Sequence, residues 1–266
     1  MKIIFRGLKS TVYELDNFSV LKLYDNKSYE KILNEYNNAK LLYSLRIRTP
    51  NPIRLQKVNN KNGIIFEKIH GVTVLKAILK KPWKVIFFAK NVARLHRNLH
   101  EKKEKYNITK LIDVLYNEIE ELDFTNEQKK YVFNYINLLD NNYCLCHGDL
   151  HLENIMTDYS NIYIIDLMRL CIGDPAADVA RSIIEIQNNL LSDYYSVKEK
   201  IIYFFLRRIF LFFYLKEYSN LSGIRRKEIS KWYFPIIVAE LAENNPDKVI
   251  RRFKRIVTTK YKLHLY

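Results

Sequence analysis

Cysteine, glycine and proline are scarce in this sequence. Its 266 residues include 3 Cys, 6 Gly and 6 Pro. Three cysteines are too few for a disulfide-stapled scaffold, so we expect a reducing compartment, the cytoplasm. The low glycine and proline content excludes collagen-like and low-complexity classes. Because hydrophobic residues make up 48% of the chain, it can bury a core, and disorder of the whole chain is excluded as well.

Long apolar runs are also missing. The N-terminal segment holds no apolar stretch of the kind that signal peptides carry. The most apolar segment, residues 201–215, is interrupted by Arg207 and Arg208 and is too short to span a bilayer. We therefore predict no membrane span and interpret residues 201–215 as a buried helix.

Positive charge is in excess and unevenly placed. The chain has 44 Lys and Arg against 29 Asp and Glu, and residues 198–266 contribute +10 of the net charge of +15. A basic region can attract nucleic acid, an anionic membrane or a phosphorylated substrate. Because no RNA- or DNA-binding motif accompanies it, we favour a solvated surface and expect no nucleic-acid partner.

The pattern of apolar residues changes after about residue 70. Before it, strand-like segments rich in Ile, Val, Phe and Tyr surround one helical stretch. After it, helical periodicity dominates. We predict an α+β fold with a small antiparallel β lobe that carries one helix (residues 1–70) and a larger, mostly α-helical lobe (residues 71–266). The predicted strands are 2–6, 10–16, 18–24, 53–58 and 63–69, and the predicted helices are 28–45, 73–80, 84–101, 108–121, 126–140 and several between 175 and 257.

Three oxygen-bearing side chains stand out in the second part of the chain. Asp149 and Asn154 lie five residues apart after an apolar strand at 143–146, and Asp166 ends the next strand, at 161–167. A hairpin of these strands would bring Asp166 beside the other two. Carboxylate and amide oxygens suit Mg²⁺ rather than Zn²⁺. Since Mg²⁺ with few protein ligands completes its shell with water and phosphates, the set indicates phosphoryl transfer.

Three sequence blocks carry a resemblance to a known family. They are CHGDLHLENI at 146–155, ID at 165–166 and GDPAAD at 173–178. In this order and spacing they resemble the aminoglycoside phosphotransferase family, a small-molecule branch of the protein-kinase-like fold. The resemblance implies a bilobal kinase that uses Mg²⁺ and moves the γ-phosphate of ATP or GTP to a hydroxyl of a small-molecule acceptor.

The resemblance also implies roles for the three oxygen-bearing residues. Asp149 matches the catalytic aspartate, which orients the acceptor hydroxyl and accepts its proton. Asn154 and Asp166 match the metal ligands.

Three further residues around the same loop take their roles from the resemblance or from their position. His147 matches a structural loop residue. Asp178 matches a residue that braces the catalytic loop through hydrogen bonds. His151 either lies near the transferred phosphoryl group or is a hydrogen-bonded loop histidine.

In the small lobe, the family pattern requires a lysine for the nucleotide phosphates. Lys22 lies on the third predicted strand, where that lysine belongs, and Lys9 is the poorer candidate. Glu35, thirteen residues after Lys22 on the one small-lobe helix, is expected to pair with it, and Glu30 is the rival.

Two small-lobe segments match nucleotide-contacting parts of the family. Residues 7–13 occupy the place of the glycine-rich loop but keep one glycine, so backbone amides and the Ser10 hydroxyl would reach the phosphates. Residues 67–71 resemble the connection between lobes, where backbone groups of Glu67 and Ile69 would bind an adenine or guanine edge. Phe66 would line that pocket or pack as core.

Other functions stay open at this point. The glycine-poor loop favours a non-catalytic nucleotide-binding scaffold, and the basic C-terminal region favours a protein or RNA-linked kinase. Against a protein kinase, Leu167 and Met168 follow Asp166, so no DFG sequence is present. His96 and His100 are spaced to share a metal, but no third ligand is evident, and core or surface histidines are favoured.

The acceptor is not identified by the sequence. Acidic residues cluster between 113 and 127. They would face a cationic acceptor such as an aminoglycoside, or they balance the lysines at 101–105, which we prefer. Sugars and amino alcohols stay open as acceptors.

Overall fold

The computed structural model describes residues 2–7, 10–25, 27–103, 106–140, 142–188, 191, 195–242 and 247–262. The chain forms two compact units. The first unit comprises Met1–Lys84 and Leu152–Leu170, and the second comprises Val85–His151 and Cys171–Tyr266. The first unit thus includes a segment from the middle of the chain. The predicted lobe boundary between residues 70 and 71 stays a prediction.

Strands occur in both units. In chain order they are β1 (Lys2–Arg6), β2 (Ser10–Glu14), β3 (Ser19–Tyr24), β4 (Pro52–Val58), β5 (Lys61–Glu67), β6 (Val72–Thr73), β7 (Cys144–Cys146), β8 (Ile155–Thr157), β9 (Ile162–Ile164) and β10 (Cys171–Gly173).

Helices occur in both units and make up most of the second. In chain order the helices of the described residues are α1 (Tyr29–Ser44), α2 (Val74–Lys80), α3 (Val85–His100), α4 (Leu111–Glu120), α5 (Asn126–Asn137), α6 (Pro175–Asn188), α7 (Val197–Ser222), α8 (Arg226–Lys231), α9 (Tyr233–Ala239) and α10 (Asp247–Tyr261). None of these described helices has both the length and the apolar character needed to cross a bilayer.

The first unit contains an antiparallel sheet with the strand order β1-β2-β3-β5-β4. Side chains alternate between its faces. Leu21 and Leu23 pack with Ile65 on one face, whereas Tyr24 packs with other residues, which include Ile32 of α1. Lys22 therefore shares the face that α1 covers. The predicted small sheet with one inserted helix is confirmed.

A second, smaller sheet of the first unit has the order β6-β8-β9. Strands β8 and β9 form a hairpin in which Ile155 faces Ile164. The carboxylate of Asp158 stabilises its turn by accepting hydrogen bonds from the backbone of Ser160 and Asn161 at 2.8 and 2.6 Å. This small sheet joins residues 152–170 to the first unit.

The predicted hairpin between 143–146 and 161–167 is wrong. Strand β7 pairs with β10 inside the second unit, and β9 pairs with β8. The physical reason is that residues 155–157 form a separate strand. Polar residues on both sides make this strand too short to recognise from the sequence pattern. The hairpin that returns the chain towards Asp166 starts at Asn154, not at Asp149.

Helix α6 lies at the centre of the second unit. Its small and apolar residues are almost all buried. Asp174 caps the helix, because its side chain accepts a hydrogen bond from the Ala176 amide at 2.8 Å, and Pro175 takes the first helical position. Helix α3 packs against α7 beside it.

Candidate active site

In the first unit, Lys22 lies between two carboxylates. Its Nζ is 2.7 Å from Oε1 of Glu35 and 3.1 Å from Oδ1 of Asp166. The Glu35 side chain is 2% exposed and that of Asp166 is 43% exposed. The predicted pairing of Lys22 with Glu35 is thus present, while the rival Glu30 is exposed in the first turn of α1. Lys9 lies outside the described residues.

The local charges hold Lys22 in its ammonium form. Burial alone would lower the pKa of Lys22, but the carboxylates of Glu35 and Asp166 outweigh it and raise that pKa above its ordinary value. Burial raises the pKa of Glu35, against the opposing effect of Lys22. The arrangement keeps one fixed positive charge on the α1-covered face of the sheet. Such a charge is suited to a phosphate group.

Asp166 occupies an unusual backbone conformation. Its φ is 61° and its ψ is 70°, in the left-handed region, directly after β9. This region is costly for residues other than glycine, and such costs concentrate at functional sites. A buried side chain of α1 supports the turn, because Asn38 Nδ2 donates to the Leu167 carbonyl at 2.9 Å. The conformation directs the Asp166 carboxylate towards Lys22.

Asn154 and Asp166 are brought together by the β8–β9 hairpin. The Ile165 amide donates to the Asn154 carbonyl at 3.0 Å, one residue before Asp166. Asn154 is buried. The two side chains offer amide and carboxylate oxygens, which are the donors that Mg²⁺ prefers. The donor set therefore fits the predicted metal.

In the second unit, the loop after β7 carries Asp149. The Asp149 side chain is 28% exposed, and its backbone amide donates to Nδ1 of the buried His147 at 3.2 Å. Gly148 has a φ of 77°, a conformation that favours glycine. His151 Nε2 is 3.8 Å from Asp149 Oδ1. The main chain of Asp149 is thus anchored to His147, and its carboxylate remains accessible to a substrate.

Asp178 of α6 ties this loop to α3. Its Oδ2 accepts from the His147 amide at 2.7 Å and its Oδ1 accepts from the Gly148 amide at 2.9 Å. Oδ2 also contacts Nε2 of His96 at 2.9 Å and of His100 at 3.1 Å. One fully buried carboxylate therefore meets two backbone N–H groups and two imidazole nitrogens. The bracing that the resemblance implied for Asp178 is present in these contacts.

Two tyrosines of α7 complete the network. The hydroxyls of Tyr214 and Tyr218 lie 2.6 Å from Nδ1 of His96 and of His100, respectively. If each hydroxyl donates, each imidazole carries its proton on Nε2 and donates to Asp178. Each ring nitrogen of the two histidines then has a hydrogen-bond partner. Its sequence signal is a pair of histidines and a pair of tyrosines, each four residues apart, which sequence reasoning did not connect.

The charges of the network are set by burial and by its partners. Burial opposes the charge of Asp178, but its two histidine neighbours hold the pKa of that carboxyl well below its usual range. Burial, with a contribution from His96, lowers the pKa of His100 to about 4. Asp178 therefore stays ionised, and His100 stays neutral.

Next to Asp149, α6 carries further charged groups. The Arg181 guanidinium is 2.9 Å from Glu118 Oε2 and 3.6 Å from Glu240 Oε1. Burial raises the pKa of Glu185, and the charges of Glu240 and Asp149 add to the rise. Arg181 thus interacts with three carboxyl groups, those of Glu240, Glu118 and Glu185. In the predicted acidic stretch 113–127, Glu118 pairs with this arginine.

The remaining predicted residues lie in the first unit. Ser10 begins β2, and its carbonyl accepts a hydrogen bond from Gly7 at 2.9 Å. The Glu67 amide donates to Asn51 at 2.9 Å, and the Ile69 carbonyl accepts from Gly71 at 3.0 Å. These backbone groups of Glu67 and Ile69 are therefore engaged within the unit. Their roles towards a nucleotide stay predictions.

The family comparison gives one match over most of the chain. The model of the phosphotransferase enzyme family matches residues 6–196. This range contains Lys22, Asp149, Asn154 and Asp166. No curated protein shows significant sequence similarity to the chain.

Solved structures share the fold at low sequence identity. An amicoumacin kinase in complex with AMP-PNP and Ca²⁺ matches with a TM-score of 0.67 and 15% identity, over 98% of this chain and 89% of that one. A choline kinase from Cryptosporidium parvum matches with a TM-score of 0.63 and 17% identity, over 98% and 89%. An aminoglycoside-3'-phosphotransferase of type VIII matches with a TM-score of 0.62 and 14% identity, over 90% and 92%. The predicted kinase-like α+β fold is confirmed.

Proposed function

We propose that this chain, which belongs to the phosphotransferase enzyme family, transfers the γ-phosphate of ATP or GTP to a hydroxyl group of a small molecule. The observation that carries the proposal is the position of Lys22 between Glu35 and Asp166. Kinases need a lysine for the nucleotide phosphates, held by a glutamate, together with an aspartate for the metal. The alternative of a scaffold without catalysis has the glycine-poor loop as its support.

The roles of the first unit follow from its charges. Lys22 binds the nucleotide phosphates, and Glu35 fixes the direction of its side chain. Asn154 and Asp166 would hold Mg²⁺, which neutralises negative charge on the phosphates when it is bound. Ser10, with backbone amides beside it, would contact the phosphates. Backbone groups of Glu67 and Ile69 would contact the base of the nucleotide.

In the second unit, Asp149 orients the acceptor hydroxyl and accepts its proton as the oxygen attacks the γ-phosphorus. The leaving nucleoside diphosphate keeps the electrons of the broken bond. His147 and Asp178 hold the loop through its backbone, and His151 lies near the transferred group. Because catalysis here is mostly positioning and charge stabilisation, these backbone contacts matter for the rate.

The acceptor is inferred to carry an amino group beside its hydroxyl. Burial and the charges of Glu240 and Asp149 raise the pKa of Glu185, and Arg181 pairs with Glu240. An ammonium group of the acceptor beside Asp149 would relieve the repulsion between Asp149 and Glu185. The names of two structural neighbours, a choline kinase and an aminoglycoside phosphotransferase, point in the same direction.

The transfer step is tested with the Asp149→Asn variant. Release of ADP or GDP is measured with a panel of amino alcohols, aminoglycosides and uncharged sugars. We expect acceptor-dependent release by the wild type and a loss of about a hundredfold or more in kcat for Asp149→Asn, with nucleotide binding retained. Glu153→Gln, on the same loop, is the matched control.

Three results would overturn parts of this proposal. Full activity of Asp149→Asn with an identified acceptor would remove Asp149 from the catalytic role. Nucleotide binding with no transfer to any acceptor of the panel would favour the scaffold. Transfer to sugars alone would contradict the amine, while leaving the phosphotransferase in place.

A further inference from the structure

Helix α7 is apolar on two opposite faces. One face is buried in the second unit and includes Tyr203, Phe210 and Tyr214. The other is open to solvent over several turns. Its large apolar side chains are between 39% and 74% exposed, and they are Val197, Ile201, Phe204, Phe205, Ile209 and Phe212. A helix that is apolar all round is normally covered all round, so the open face is suited to a partner.

The charges on this open face have one sign. The Arg208 guanidinium lies 4.3 Å from the centre of the Phe204 ring, and that of Arg226 lies 5.7 Å from the centre of Phe212. The acidic residues of α7 are engaged elsewhere. Glu199 belongs to the capping box at Ser196, and Glu217 pairs with Arg94 at 2.8 Å.

Helical geometry keeps those two acids away from the open face. At 100° per residue, Glu199 and Glu217 fall on the same side of α7, well over 90° from Phe205 and Arg208. Arg207 adds positive charge at the edge, where burial lowers its pKa and the nearby Arg252 and Arg208 lower it further. The exposed apolar stripe is therefore bordered by crowded arginines.

We propose that this face of α7 docks on an anionic membrane surface, lying in the plane of the headgroups. Ile201, Phe205 and Phe212 would enter the boundary of the acyl chains, while the arginines bind lipid phosphates. The docking is peripheral, because Arg207 and Arg208 interrupt the apolar sequence of α7 and no described helix can span a bilayer. This function is independent of the phosphotransferase proposed above.

Two other occupants fit the face less well. A second copy of the chain would bring arginine borders against one another, and like charges oppose association. Single-stranded RNA would suit the arginines and the phenylalanines, but Val197, Ile201 and Ile209 offer no flat ring on which a base could stack. Aliphatic side chains bordered by cations are what a lipid interface accommodates.

The test is flotation of the full chain with phosphatidylcholine vesicles, with and without phosphatidylglycerol. We expect binding that requires phosphatidylglycerol and weakens in high salt. The double variant Phe205→Ser with Phe212→Ser should lose about tenfold in partition coefficient, because both rings give up apolar burial. Arg208→Glu should lose at least about fivefold.

A matched control changes two exposed apolar residues elsewhere. Phe18 and Leu138 are 79% and 85% exposed and lie off α7. Phe18→Ser with Leu138→Ser should float like the wild type, and unchanged melting temperatures show that all variants fold. No wild-type binding to anionic vesicles, or equal loss in the control, would overturn the proposal. Retention on single-stranded RNA alone would assign the face to RNA instead. A dimer that dissociates in the Phe205→Ser variant would assign it to a second copy of the chain.

Discussion

The burial of His100 leads to a quantitative prediction for the pH dependence of the free energy of unfolding. It is fully buried among groups from four elements: His96 and Arg97 of α3, Asp178 of α6, Tyr218 of α7, and the Cys144 and Cys146 thiols of β7. Its pKa falls from 6.5 to about 4 in the folded chain. Above pH 6.5 the ring is neutral in both states, so it adds no pH dependence.

Between pH 6.5 and about 4, the unfolded chain binds a proton at this histidine and the folded chain does not. The free energy of unfolding therefore falls as the pH falls, by up to about 1.4 kcal/mol per pH unit and about 3 kcal/mol in all. Asp178 does not interfere in this window. Its pKa is already lowered from 3.8, so its own stabilisation is lost only below that pH.

The perturbation is His100→Gln, whose amide can donate to Asp178 but does not titrate. Urea unfolding at several pH values between 7.5 and 4.5 gives the free energy of unfolding for the wild type and the variant. We expect the wild type to lose about 1.4 kcal/mol per pH unit more than the variant below pH 6.5. His70→Gln, at an exposed histidine, is the control. Parallel pH dependences of wild type and His100→Gln would refute the buried neutral ring.

Two further substitutions probe buried contacts, one in each unit. Tyr218→Phe leaves Nδ1 of His100 buried without its hydroxyl donor, so we expect a loss of about 1–3 kcal/mol in urea unfolding, whereas Tyr29→Phe at an exposed position should change nothing. Glu35→Gln removes the partner of Lys22, so we expect KM for the nucleotide to rise about tenfold or more, with Glu30→Gln as the control. An unchanged KM in Glu35→Gln would show that the ion pair does not position Lys22.

The pairing of Lys22 with Glu35 could be predicted because its signals are local. Strand alternation places Lys22 on the face of α1, and helical periodicity places Glu35 on its inner side. The two residues are thirteen positions apart in the sequence, and their contact requires only that one strand packs against the helix that follows it. No knowledge of distant pairing was needed.

The strand pairing around Asp149 could not be predicted in the same way. Strands β7 and β10 pair across the intervening hairpin of β8 and β9. Which of several three-residue strands pair depends on packing far along the chain, and short apolar segments carry little register information. The sequence pattern therefore favoured the nearest partner, which was the wrong one.

The hydrogen-bond network on Asp178 shows a second limit. His96 and Tyr214 are 118 residues apart, as are His100 and Tyr218. The spacing of four in each pair is visible in the sequence and predicts one helix face for each. It does not show that α3 and α7 pack together, and the network exists only through that packing.

Nucleotide binding is the most direct test of the central claim, that Lys22 and Asp166 serve a metal-bound nucleotide. The measurement is the melting temperature of the wild type titrated with ATP and with GTP, each with and without Mg²⁺. The account predicts a Mg²⁺-dependent rise with at least one nucleotide, and no such rise in Asp166→Asn. No rise in the wild type up to millimolar nucleotide, or an equal rise in Asp166→Asn, would contradict it.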